Sequence, residues 1–343
     1  MFFSCPEYQS HLLDSHLDFS SLRGKSILIT GANGMLPSAL TEALIVLNEK
    51  LALNLKIIGM VRNLQKAKKR FNTLRSNQIT LIEHDVSKQY ENYENIDIII
   101  HAASQASPKY YGVDPVGTLL PNVIGTHWLL ETAKKFKSSF LFFSSGEVYG
   151  SMSSDIEVIT EEYKSSVDQT SVRSCYAESK RMGENMCISY AHQYGIHTTI
   201  VRPFHVYGPG LLLDDGRVFA DFVADAVMGR NITMHSDGTA IRAYCFLSDA
   251  VLGFLTVLLK GQSAQAYNIG NPNEQASVKE LAEIVTGLVP EKKLTVEFKK
   301  SSSEYIPSPH NRVVPSVDKL MSLGWAPRVG IKEGFRTTIK SML

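Results

Sequence analysis

Four residues in two short stretches carry the strongest chemical signal. In "CYAESKRMGENMC", Tyr176 and Lys180 stand four apart. On a helix that spacing puts both side chains on one face. A phenol has a pKa of about 10 and takes a proton poorly at neutral pH. An ammonium beside it favours the phenolate, so the pair can accept the proton of a sugar hydroxyl while hydride leaves the carbon. Two surface residues on an amphipathic helix would show the same spacing, so the pair needs support from elsewhere. "SSFLFFSSGEVYG", Ser138 to Gly150, supplies it. Its apolar, aromatic run reads as a buried strand that stops at Ser145, Gly146 and Glu147. Polar strand ends are common. Upstream of a Tyr-Lys pair, however, Ser145 can bind the same hydroxyl and Glu147 can serve a later step. Ser145, Glu147, Tyr176 and Lys180 are therefore the candidate catalytic residues.

A third stretch could hold phosphate. "ILITGANGML" places Gly31 and Gly34 at a strand-to-helix junction. Glycine lets the backbone approach a pyrophosphate, and a helix N-terminus supplies amide donors and a positive dipole. Gly31, Asn33, Gly34, Met35 and Leu36 are the candidate contacts. The usual third glycine is replaced by Pro37, which fits a first helical turn. The next strand ends in "MVRN", so Arg62 stands where an acidic residue would bind a ribose diol. Arginine can receive a 2′-phosphate or stack on adenine. NAD is the expected cofactor, and NADP stays open.

The elements that must position these residues follow a rhythm. "SILIT", a helical pattern from Ser38 to Glu49, "LKIIGMV", "ITLIEHDV", "IDIIIHAAS", a long helix around "GTHWLLETAKK" and "SFLFFSS" alternate as β-α-β units. Strands this apolar are covered on both faces. The expected fold is an α/β Rossmann-type, doubly wound parallel sheet with a smaller C-terminal lobe for substrate. The expected division is an N-terminal extension over 1–25, a nucleotide-binding domain over 26–202 and a substrate lobe over 203–343, with some segments of the last returning to the sheet.

Composition narrows the class. The chain has 343 residues, a formal net charge of +1 and 44% hydrophobic residues. A charge so close to zero leaves no basic footprint for nucleic acid. Cys5, Cys175, Cys187 and Cys245 are not spaced as a disulfide or metal framework, and no metal is expected. "MFFSCPEYQSHLLDSH" lacks the pattern of a secretory signal, and no apolar run reaches membrane-spanning length. A soluble, cytoplasmic protein is expected.

Taken in order, "TGANG", "HDV", "HAAS", "PNVIGT", "FFSSGEVYG", "YAESK", "RPFHVYGPG" and "IRAYCFLSDA" resemble an extended short-chain dehydrogenase/reductase of the nucleotide-sugar-modifying, NAD-dependent epimerase/dehydratase group. The resemblance runs over about residues 26–335. It implies that Asp85 and Val86 flank adenine, and that Ala102, Ala103 and Ser104 lie beside the cofactor with Asn122 and Arg202. It implies a sugar site built from Tyr111, Glu147, His205, Arg217, Val218 and Arg242. It also implies a homodimer paired through the Tyr-Lys helix, with Met182, Met186 and Ile188 as candidate contacts.

Such enzymes oxidise a sugar at C4, and the ketone licenses the next step. A 4-epimerase rotates the ketosugar and needs no carboxylate beside the serine, so Glu147 argues against it. A 4,6-dehydratase commonly has an acid where Gly146 stands. "ASQASPKYYGVDPVGTLLPNVIGT" resembles the loop that holds the uronate in UDP-glucuronate decarboxylases. Arg242, a further candidate catalytic residue, matches their arginine near the sugar and diphosphate, but related enzymes of other activities also hold phosphate with an arginine there, so it does not discriminate. Decarboxylation of a nucleotide-linked uronate is the leading expectation, with dehydratase or epimerase as alternatives and a nucleotide-binding regulatory protein as the non-enzyme one. His205, at a place usually taken by asparagine, and Arg62 depart from the decarboxylase pattern.

Overall fold

The computed structural model describes residues 5–75, 77–91, 94–153, 156–299 and 311–343. Seven strands form one parallel sheet: β1 (Ser26–Thr30), β2 (Lys56–Val61), β3 (Thr80–Glu83), β4 (Ile98–His101), β5 (Ser139–Phe143), β6 (Thr198–Pro203) and, far later in the chain, Gln265–Ile269. Numbering through the short strands between them, β7 (Val206–Tyr207), β8 (Ile232–Met234), β9 (Ile241–Ala243) and β10 (Cys245–Phe246), makes this last strand β11. The order across the sheet is β11-β6-β5-β4-β1-β2-β3. All six pairings are parallel. The order reverses between β1 and β4, and ligands bind outside the carboxyl ends of the strands at such a point. "SILIT" is buried at every position because helices cover both its faces.

The covering helices are α2 (Met35–Leu51), α3 (Leu64–Arg70), α4 (Pro115–Phe136), α5 (Cys175–Tyr194) and α7 (Leu247–Lys260), while α1 (Pro6–Leu13) packs on α2 and α7, and α6 (Val218–Met228) packs in the small lobe. Beyond β11 come β12 (Gln275–Ser277), α8 (Val278–Gly287), β13 (Val296–Phe298), β14 (Arg312–Val313), α9 (Asp318–Met321) and α10 (Ile331–Lys340). Helix α2 begins three residues ahead of the expected Ser38. Its early amides have no partner in any helix, so Pro37 has no hydrogen bond to lose there.

The small lobe is built from strands of two or three residues: β9 lies between β12 and β14, and β8 pairs with β13. Residues 5–25 do not form a loose arm. Tyr8, Leu12, Phe19 and Leu22 are buried in the main hydrophobic cluster, together with residues of α2 and α7. Among the described residues no helix is long and apolar enough to cross a membrane.

Candidate active site

The phosphate loop sits tight against β4. Gly31 has φ +64°, and its N–H donates to Met60 O at 2.8 Å. A Cβ at Gly31 would lie 2.7 Å from Ala103 Cα, so only glycine fits. The Thr30 hydroxyl donates to His101 Nδ1 at 2.8 Å and accepts the N–H groups of Ala102 and Ala103, each at 3.2 Å. His101 Nε2 reaches Pro121 O at 3.0 Å. A carbonyl only accepts, so Nε2 carries the proton and Nδ1 takes the threonine hydrogen. Burial, with the Lys180 charge, pushes His101 down to about 3 and keeps it neutral. Thr30 and His101 thus bolt the ends of β1 and β4 to α4. Sequence reasoning singled out the "HAAS" turn but missed both roles.

The same edge fits a dinucleotide. Ser104 Oγ and Asn122 Oδ1 are buried with no hydrogen-bond partner among the described residues. Asn122 Nδ2 is held by Thr118 O and Ser179 Oγ, both at 3.0 Å, which leaves Oδ1 over. Buried polar atoms without partners are costly, and a ligand's polar groups would satisfy them. Met35 and Leu36 open α2 and pack partly buried on the core. Val86 is buried under Gly125. Asp85 Oδ1 accepts from Ser87 N and Oγ at 3.0 and 2.7 Å. Burial opposes its ionisation, yet the Ser87 bonds and the Arg62 charge hold it below the usual carboxylate range.

Beside this edge lie the candidate catalytic residues. Tyr176 and Lys180 share one face of α5. Lys180 Nζ donates to Phe143 O at 2.6 Å and lies 5.8 Å from the Tyr176 ring centroid. Burial pushes Tyr176 up to about 12, against its hydrogen bond with Ser145, and the Glu147 charge adds to the rise. Burial pushes Lys180 down to about 7, with Glu184 opposing. The Ser145 hydroxyl caps the short turn Gly146–Tyr149 by accepting Glu147 N–H at 3.2 Å. A Cβ at Gly146 would meet the Phe204 ring at 2.7 Å, so packing requires the glycine.

The remaining expected residues divide into two groups. Tyr111 stacks on Tyr176, ring centroids 5.1 Å apart and planes 13° apart, with Arg173 6.0 Å from the Tyr111 centroid. Tyr111 and Tyr176 both feel the charges of Glu147 and Arg217. Arg217 is itself paired with Asp215. His205 has φ +38°, in the left-handed region that suits asparagine or histidine better than bulkier residues. The residue is half-buried, and its buried Nδ1 has no partner among the described residues. Burial, then the Arg242 and Arg217 charges, push it down to about 3. Arg242 is buried in β9 and donates to Ile241 O at 2.7 Å. Val218 is half-buried against the main core at the start of α6.

Arg202 belongs to a buried chain that sequence reasoning did not find. Its Nε and Nη2 grip Glu184 at 2.8 and 2.6 Å, and Nη1 donates to Tyr149 OH at 2.7 Å. Ser144 Oγ donates to Glu184 at 2.5 Å, and Tyr149 OH donates to Asn268 Oδ1 at 2.6 Å. The available signal was spacing: Glu184 is one helical turn past Lys180, on its face.

The model of the NAD dependent epimerase/dehydratase family matches residues 27–270. UDP-glucuronic acid decarboxylase 6 of Arabidopsis thaliana is 36% identical over 332 residues, 96% of this chain and 91% of the relative. UDP-glucuronic acid decarboxylase 1 of Danio rerio is 32% identical over 321 residues, 92% and 72% of the two chains. Among solved structures, UDP-glucuronic acid 4-epimerase of Bacillus cereus, with UDP-glucuronic acid and NAD, has a TM-score of 0.77 at 24% identity, covering 92% of this chain and 98% of that one. The dTDP-glucose 4,6-dehydratase of Bacillus anthracis, with NAD, has a TM-score of 0.73 at 22% identity, covering 92% and 96%. These two likenesses speak to the fold, whereas the family match and the decarboxylase identities extend over most of the sequence. The chain belongs to the NAD dependent epimerase/dehydratase family.

Proposed function

We propose that this enzyme decarboxylates a nucleotide-linked uronic acid, of the UDP-glucuronate type, through a transient 4-keto sugar. The observation that carries the reading is the stack of Tyr111 on Tyr176 within the fields of Glu147 and Arg217. It puts the base, a carboxylate and a cation around one place, and the decarboxylase relatives supply the substrate class. When bound, the dinucleotide supplies a reversible hydride acceptor and, oxidised, a positive charge. Tyr176 takes the C4 hydroxyl proton, Lys180 favours its phenolate, and Ser145 orients the hydroxyl. The C4 ketone is then β to the C6 carboxylate. The C5–C6 bond breaks, carbon dioxide leaves, and its electron pair enters the C4–C5 enolate. Glu147 manages the proton that must reach C5, and Tyr176 returns its own proton when hydride comes back to C4. Arg242 and Arg217 balance the substrate's anionic charge, and both charges help to keep His205 neutral.

Residues 26–202 would carry the dinucleotide and most of 203–343 the sugar nucleotide. A homodimer and a cytoplasmic setting complete the reading; the four free cysteines suit a reducing compartment. The test is mass spectrometry of products from a panel of nucleotide-sugars. Loss of carbon dioxide from a uronate supports the reading. Loss of water from a neutral hexose, or a product of unchanged mass, would replace it with dehydration or epimerisation.

A further inference from the structure

The adenosine end of the dinucleotide edge carries the wrong charge for a bare ribose. The bond from Gly31 N–H to Met60 O sets the phosphate loop beside the end of β2, and Arg62 is the first residue past that end. An acidic residue there would accept both ribose hydroxyls, whereas a guanidinium offers only donors. Arg62 is exposed, and among the described residues its one hydrogen bond is a long one, 3.3 Å to Gln105 Oε1.

Three carboxylates stand around it, each committed elsewhere. Glu83 accepts Leu64 N at 2.9 Å. Asp85 accepts from Ser87. Asp114 accepts Gly117 N at 3.1 Å and Gln105 Nε2 at 2.9 Å. None of them forms an ion pair with Arg62. Gln105 tethers the guanidinium without neutralising it. Helix α3, "LQKAKKR", follows directly with four basic residues and no acidic one, so the local field favours an anion.

We propose that Arg62 makes this edge a site for the 2′-phosphorylated dinucleotide, binding the phosphate by a charge-assisted, bidentate contact. The inference rests on the family's use of a dinucleotide and concerns which form this chain selects. The proposed reaction does not oppose it: hydride returns to the sugar in each turnover, so either form serves the chemistry.

The test is a fluorescence titration of the nucleotide-free protein with NADPH and with NADH, without sugar. NADPH is expected to bind at least about 10-fold tighter. Arg62→Gln should weaken NADPH by roughly 10- to 100-fold, the loss of one charge-assisted contact, and leave NADH within about threefold. Arg62→Asp should reverse the preference. Arg62 is exposed, so unchanged thermal midpoints will show that both variants fold. Tighter binding of NADH by the unaltered protein overturns the proposal. So does equal weakening of both ligands by Arg62→Gln, which would assign the side chain to adenine stacking. Binding of neither ligand would overturn the dinucleotide reading as well, whereas binding of NADH alone sinks only this inference.

Discussion

Tyr176 lies in a site whose burial works against it: the phenol is pushed up to about 12 and its lysine down to about 7. Proton abstraction therefore depends on charge brought in by ligands and on the Ser145 hydrogen bond. Tyr176→Phe keeps the ring stacked on Tyr111 and removes only the hydroxyl. Its turnover should fall by roughly 100- to 10,000-fold, the usual contribution of a general base. Dinucleotide affinity, read by fluorescence, should stay within about threefold. Near-native turnover would remove Tyr176 from its role. Glu147 is the complementary case, exposed at the strand end where Tyr176 is buried. Glu147→Gln should still oxidise and decarboxylate the sugar but stall before product, so chemical trapping should recover a 4-keto pentose that has already lost carbon dioxide. Full-rate product formation would reduce Glu147 to a polar strand end. The structure brings the four candidates together at one strand end and one helix face, the grouping that their spacing in the sequence suggested. The packing reason for Gly146, the Phe204 ring, lies far along the chain and leaves no local mark in the sequence.

Helix α5 and strand β5 must keep their register for Ser145 to meet Tyr176, and the buried chain Ser144–Glu184–Arg202–Tyr149–Asn268 ties both to β6 and β11. Glu184 also supplies the main charge that holds up the Lys180 pKa. Glu184→Gln removes that charge and leaves Arg202 buried with an incomplete partner. Breaking a buried pair costs roughly 3–5 kcal/mol, so the thermal midpoint should fall. Lys180 should titrate lower still. A protonated lysine is needed to favour the phenolate, so the alkaline limb of the kcat/KM profile should move to lower pH. A lower midpoint with an unmoved limb would leave Glu184 a purely structural part.

At this scale β1 to β5 were readable from sequence as apolar runs, whereas β6 and β11, the other two strands of the sheet, were not singled out. The small lobe was not readable either. Strands of two or three residues, such as β7, β10 and β14, are too short to show a period. The start of α2 was set three residues late at Ser38, although Pro37 itself fits a first helical turn. The buried joint of residues 5–25 with α2 and α7 depends on contacts between distant segments.

On the scale of the whole molecule, an uncovered apolar face lies along α4 and α5 among the described residues. Along α4, Val116, Leu120 and Ile124 are exposed at four-residue intervals, which places them in a stripe. On α5, which packs beside α4, Met182 and Ile188 are exposed as well, 50% and 43%. Met186, the third expected contact, is half-buried in the cluster under the sheet, so only two of the three face outward. An apolar face spread over two adjacent helices suits self-association better than solvent. A two-fold axis across it would set α4 and α5 against their copies as four helices, the isologous contact that homodimers commonly use. The formal charge of +1 offers little repulsion between copies. Light scattering at micromolar concentration should give the mass of a dimer, and the thermal midpoint should rise with protein concentration. Replacing Leu120 and Met182 together by glutamate would bury four charges at the contact, two from each copy. That variant should run as a monomer and lose the concentration dependence. Both side chains point outward, so its secondary structure by circular dichroism should be unchanged. A monomeric parent protein, or a variant that remains dimeric, would place the contact elsewhere.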